Sequence, residues 1–226
     1  MTKIKTTLPG LSILLLLFVF VSGCLTTKKM DQFVAEQYNN KLPGQDKKKN
    51  TAIPVTSAIP FTPEKSISVT TQKTSKVLPL ILYFHYDYRH TCTLNPAIAV
   101  NNFATTVNQQ SAKLNQKLNG QQLELTVEQV PNAFALVDKA GILLFFIHWD
   151  KIFVQPDFKD LMVSYKVLQG GTVVKTNRIS VKNEEQNRGI RFAQSWRSST
   201  SEYLSEYNAD IVNMSKSFVN KLLQEL

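Results

Sequence analysis

Two cysteines, three histidines and two tryptophans are all that the 226 residues hold of these types. With cysteine only at 24 and 92, neither a disulfide framework nor a paired Cys-x-x-Cys zinc or redox motif can be built. Glycine is scarce as well, eight in all, and none falls into a nucleotide-binding G-x-x-x-x-G-K-S/T or G-x-G-x-x-G loop. A G-x-S-x-G nucleophile elbow and an H-E-x-x-H helix are missing too. The longest apolar run is residues 11–21, interrupted only by Ser12, which is too short for the roughly 20 residues that cross a bilayer.

What is present begins with that run. Lys3 and Lys5 precede it without any acid, so residues 1–23 have the basic start and short apolar centre of a secretory signal peptide. The signal ends in Val21, Ser22, Gly23 and Cys24, which resemble the bacterial lipobox, with valine where leucine is usual. The resemblance implies a chain that matures to an acylated Cys24 and is held on a membrane through it. Each buried CH2 of an acyl chain contributes about 0.8 kcal/mol, so several chains anchor a protein without a spanning helix. Cys92 is then the single free thiol. Leu25 stands where an aspartate would imply retention at the inner membrane, so the same resemblance implies the outer membrane.

The formal net charge of +9 suggests nucleic acid until the charges are mapped. Residues 24–76 carry nine lysines against four acids, whereas residues 77–226 carry 15 basic and 13 acidic residues. A nearly neutral domain lacks the clustered basic face that binding a phosphate backbone requires, so no nucleic-acid partner is expected. Residues 24–76 are also rich in Lys, Thr, Ser and Pro, and are expected to form a flexible basic tether with a reach of roughly 40 Å. Within it Met30, Phe33, Val34 and Tyr38 recur at helical spacing, a short amphipathic turn that lies on the membrane or on a partner.

Residues 77–226 are expected to be one globular domain. From Leu80 the even positions run Leu82, Phe84, Tyr86, Tyr88 and the odd ones Tyr83, His85, Asp87, Arg89, an alternation that predicts a strand. Asn95, Pro96 and Gly120 bracket a helix whose stripe is Val100, Phe103, Val107, Leu114 and Leu118. Leu123, Leu125 and Val127 alternate with polar residues in a second strand, and a turn near Gly141 precedes the apolar strand ILLFFIHWDKIFV. Gly170 and Gly171 mark a tight hairpin. Residues 182–201 are polar and irregular, with Phe192 and Trp196 as anchors. A last helix from about Ser201 carries Leu204, Tyr207, Ile211, Met214, Phe218 and Leu222 on one stripe. The pattern predicts an α+β two-layer sandwich, a mainly antiparallel sheet with two amphipathic helices on one face. This order, from the lipobox through FATTVNQQSAKLNQKLNG and VSYKVLQGGTVV to SKSFVNKLLQEL, resembles small α/β outer-membrane lipoproteins that assist lipopolysaccharide or ABC-type lipid transport. The resemblance implies a non-catalytic binding or assembly component of the cell envelope, whose partner is an envelope protein or a lipid.

The scarce reactive residues crowd into YFHYDYRHTC, residues 83–92. Tyr83, His85 and Asp87 share one strand face and form a polar strip available to a partner. His90 and Cys92 are expected in the loop that follows. A periplasmic enzyme using His85, Asp87, His90 and Cys92 is the alternative, and a structural surface lipoprotein a third reading. His148, inside a strongly apolar strand, reads as a core or edge histidine. Neither a metal nor a cofactor is expected.

Overall fold

The computed structural model of the protein describes residues 25–42, 53–77, 83–143, 146–191 and 194–226; Cys24 and the residues before it lie outside. In chain order the elements are α1 (Thr27–Gln37), β1 (Val55–Ser57), β2 (Ser68–Val77), β3 (Tyr83–Leu94), α2 (Pro96–Gln109) and α3 (Ser111–Leu118). They continue with β4 (Gln122–Gln129), β5 (Ala133–Leu143), β6 (Phe146–Pro156), β7 (Leu161–Gln169), β8 (Thr172–Val181), β9 (Arg188–Gly189) and α4 (Trp196–Glu225). The α+β sandwich forms as the pattern predicts, with its strands divided between two sheets. One has the order β1-β4-β7-β8, the other β2-β3-β5-β6-β9, and among the described residues only the β1–β4 pair is parallel.

Local rules account for most boundaries. Asn95 caps α2 by accepting from the Ala97 amide at 3.0 Å, and Pro96 fills the first helical position, where a missing N–H costs nothing. The single expected helix is two, divided at Gln110, where Ser111 Oγ donates back to the Asn108 carbonyl. Asn119 and Gly120 take positive φ and end it. Gly170 (φ 58°) and Gly171 (φ 84°) make the β7–β8 turn. The turn expected near Gly141 is not there: Gly141 lies within β5, and the apolar run ILLFFI spans the β5–β6 hairpin rather than one strand. The register passes from Gly141–Trp149 to Ile142–Ile147, leaving His148 as the extra residue of a bulge. Helix α4 starts at Trp196, earlier than its apolar stripe suggests, because Ser195 caps it by accepting from the Ser198 amide.

The tether expected over residues 24–76 is the largest correction. Its helical spacing is a real helix, α1, but Met30 and Val34 are buried in the protein's own core against β2 and β3, not on a membrane. The Thr- and Ser-rich stretch before Val77 is a ten-residue edge strand, paired throughout with β3. Composition hid it because strand pairing uses backbone groups, which every residue but proline supplies. Asp31 holds the two together. Its carboxylate accepts from Ser68 Oγ at 2.8 Å, Thr70 Oγ1 at 2.6 Å and the Thr70 amide at 3.2 Å.

One continuous core joins both sheets. Leu123, Leu125, Val127, Val163 and Tyr165 enter it from the first sheet, Cys92, Leu94 and Phe134 from the second. Phe103 of α2 meets Phe218 of α4 edge-on at 5.1 Å, and the predicted α4 stripe is buried from Leu204 to Leu222. Where the chain crosses between sheets, buried asparagines replace apolar contacts. Asn132 Nδ2 donates to the Leu94 carbonyl, and Asn183 Nδ2 to that of Asp157 at 2.7 Å.

Asp31→Ala strands the buried Ser68 and Thr70 donors, and is expected to cost about 3 kcal/mol in urea unfolding with an unchanged m value. Glu36→Ala on the exposed side of α1 should stay within about 0.5 kcal/mol. Equal effects of the two would disprove the role given to Asp31.

Candidate functional site

Strand β3 carries the residues that the sequence singled out, and it sorts them onto two faces. His90 and Cys92 are not in a loop: β3 runs on to Leu94, because ten residues of β2 and eleven of β5 pair along it. Their even parity turns them inward with Leu94, while His85 and Asp87 lie on the opposite face. The four side chains therefore do not converge. Tyr83 opens the strand opposite Leu143, and its side chain lies outside the described ones, as does that of His148.

On the outer face Asp87 stands directly across from Lys139 and pairs with it at 3.0 Å. Ser75, Asp87, Lys139 and Lys151 form one row across four strands, with a cross-strand ion pair at its centre; of the strip expected at Tyr83, His85 and Asp87, the described side chains are His85 and Asp87. On the inner face Cys92 is fully buried, and burial pushes its thiol up to about 12, against smaller lowering by Thr70 and Ser68. A thiol in that condition is neutral at physiological pH and a poor nucleophile.

Further along the same inner face the sheet passes beyond the helices and walls a cleft of about 530 Å³. Its apolar lining comes from separate parts of the chain: Leu25 before α1, Tyr88 of β3, Leu136 of β5, Ile152 of β6, Ile190 after β9 and Trp196 at the start of α4. Trp196 is braced by the edge of Phe33 at 5.3 Å and by the Arg197 guanidinium over its ring. Tyr86 continues the surface beyond Tyr88, their rings 5.2 Å apart, and Ile152 is 41% exposed. Gln72, Asp138 and Gln194 line it as well, and Asp138 stands in the row between Tyr88 and Ile152. His90 lies beside the backbone of Leu25, and its Nε2 has no hydrogen-bond partner among the described residues. Burial lowers the imidazole pKa and the Leu25 contact partly opposes this, so the ring is neutral near pH 7. The size and the mostly apolar lining with a few polar groups are those of a small-ligand site.

A second, polar cleft of about 790 Å³ runs beneath residues 181–188 against α4. There burial, reinforced by Asp210, raises the Glu185 carboxyl to about 7, while Arg188 lowers it to a lesser degree. Arg188 itself is paired with Glu206. Among the described residues no group of three or more His, Cys, Asp or Glu side chains is arranged to hold a metal ion.

No protein-family model matches the chain, and neither a curated protein nor a solved structure matches it.

Sequence reasoning found the inward parity of Tyr86 and Tyr88 and flagged Trp196 as an anchor. It missed the cleft, because Leu25 and Ile152 are brought together only by the docking of α1 and the pairing of β6.

Two measurements follow from these environments. Because the folded protein holds the Glu185 proton more tightly than the unfolded chain, the associated stability is full below about pH 4.5 and is lost as pH rises through about 7. Glu185→Gln should match the wild type at pH 4.5 and exceed it at pH 8, by on the order of 1 kcal/mol in chemical denaturation. A constant difference across that range would disprove the assignment. Cys92 should resist an aromatic disulfide reagent in the native protein and react promptly in denaturant; rapid native labelling would show the inner face to be open.

Proposed function

We propose that the protein is a lipoprotein, anchored through acylated Cys24 in the outer membrane, that acts as a non-catalytic binding component in cell-envelope biogenesis or transport. The partner is an apolar group: a lipid, or an apolar segment of an envelope protein. The observation that carries this reading is the position of Leu25. The residue after Cys24 lies in the wall of the apolar cleft, and α1 begins only two residues later. An acylated Cys24 would therefore hold the folded domain within about 10 Å of the bilayer surface, with the cleft beside the anchor. The tether reading put the domain roughly 40 Å away. A binding cleft at the anchor suits a protein that works on lipid or membrane-embedded material. No helix of the described residues is long and apolar enough to cross a membrane, so in this reading attachment rests on the acyl chains.

The Cys24→Ser protein should lose metabolic labelling by palmitate and leave the membrane fraction, whereas Cys92→Ser should retain both. Labelling that survives Cys24→Ser, or attachment indifferent to it, would refute the anchor.

A further inference from the structure

We infer that the cleft beside Leu25 is an acyl-chain site, and that its occupant is a fatty chain carried by Cys24 of the same molecule. The inference rests on the anchor reading above. Its first ground is where the chain leaves the described fold. Leu25 is itself a wall residue, and consecutive Cα atoms are 3.8 Å apart, so a chain on Cys24 starts at the cleft rather than having to find it. Such tethering gives a local concentration that free membrane lipid, entering from another molecule, has to exceed.

The second ground is the lining. Leu25, Tyr88, Leu136, Ile152 and Trp196 offer apolar surface from both ends of the sequence, and about 530 Å³ falls within the range of pockets that enclose small apolar ligands. Part of this surface is open to water in the protein without its acyl group: Ile152 is among the few large apolar side chains more than a third exposed.

The third ground is His90. Its Nε2 is buried without a partner among the described residues, and the ring lies beside the Leu25 backbone. Buried polar atoms are nearly always satisfied, so an orphan in this wall, which is mostly apolar but also holds Gln72, Asp138 and Gln194, asks for one polar group on the occupant. The amide that joins an acyl chain to the Cys24 nitrogen is that group, since it offers both an N–H and a carbonyl, and it enters at the Leu25 end, where His90 stands. With one chain in the cleft, the remaining chains of the lipidated cysteine carry the membrane attachment, and withdrawal of the bound chain opens the site to another apolar ligand.

The test compares the native mature protein with the Cys24→Ser mature protein in the same detergent, using a fluorescent 16-carbon fatty acid as probe. Mass spectrometry of the native N-terminal peptide is done first; absence of acyl mass refutes the anchor reading and this inference together. With acyl mass present, the Cys24→Ser protein should bind the probe at least tenfold more tightly than the native one, whose cleft is filled. Adding Ile152→Asp, on the exposed rim and expected to leave the melting temperature unchanged, should weaken that binding at least tenfold. Equal binding by native and Cys24→Ser proteins overturns self-occupancy alone, and binding by neither overturns the acyl site. A second readout uses Trp149→Phe in both proteins, leaving Trp196 as the sole tryptophan: its emission should be bluer in the acylated protein. Identical spectra count against the inference.

Discussion

A single helix has to serve two sheets that share no strand. The thirty residues of α4 extend about 45 Å, and its stripe from Tyr203 to Leu222 fills the core under both. Its two ends are fixed by different means. Near the start, Tyr207 Oη donates to the Pro131 carbonyl at 2.9 Å, where the chain passes from one sheet to the other. At the far end Tyr165 Oη donates to Glu225 at 2.7 Å, and Asn177 Nδ2 donates to the same carboxylate. Losing a buried aromatic such as Phe218 from this stripe would leave a cavity shared by α2 and α4, the kind of change that costs 3–5 kcal/mol.

The placement of the cleft follows from that beam. Because α4 begins at Trp196, its first turn ends the covered part of the inner sheet face, and the sheet extends past it. The wall opposite is set by α1, which Asp31 fastens to the edge strand β2. Asn208 Oδ1 adds a second tie, accepting from Asn102 of α2 at 3.1 Å and from Tyr38 at the end of α1 at 3.4 Å. The same contacts that place Met30 and Val34 in the core thus bring Leu25 to His90. The N-terminal segment is therefore part of the core and not a spacer.

Polar groups inside this fold divide into those that are paired and those that are not. Asn95, Asn132 and Asn183 are buried and hydrogen-bonded, and they fix the turns at which the chain changes sheet. His90 Nε2, Tyr203 Oη and a Glu185 oxygen have no such partners among the described residues. Tyr203 lies on the core stripe of α4 and Glu185 in the segment after β8, and burial raises both pKa values, that of Glu185 to about 7. Of these three, His90 lines the mostly apolar cleft, so it is the one with a ligand-sized space before it.

The sequence by itself determined the fold class, the inward stripe of α4, the Asn95 cap, the glycine hairpin and the opposed faces of His85 and Tyr86. Each of these rests on periodicity or backbone conformation, which neighbouring residues dictate locally. It also contained α1, legible at Met30, Phe33 and Val34, though not what that helix packs on. The tertiary structure alone decided that β2 is a strand, that β3 extends through His90 and Cys92, and that Leu25, Ile152 and Trp196 share a cleft. Those outcomes depend on pairing between segments distant in sequence, where Ser and Thr backbones bond as well as any others. A one-dimensional pattern records which face a residue turns, and only the assembled sheets and helices record what stands opposite it.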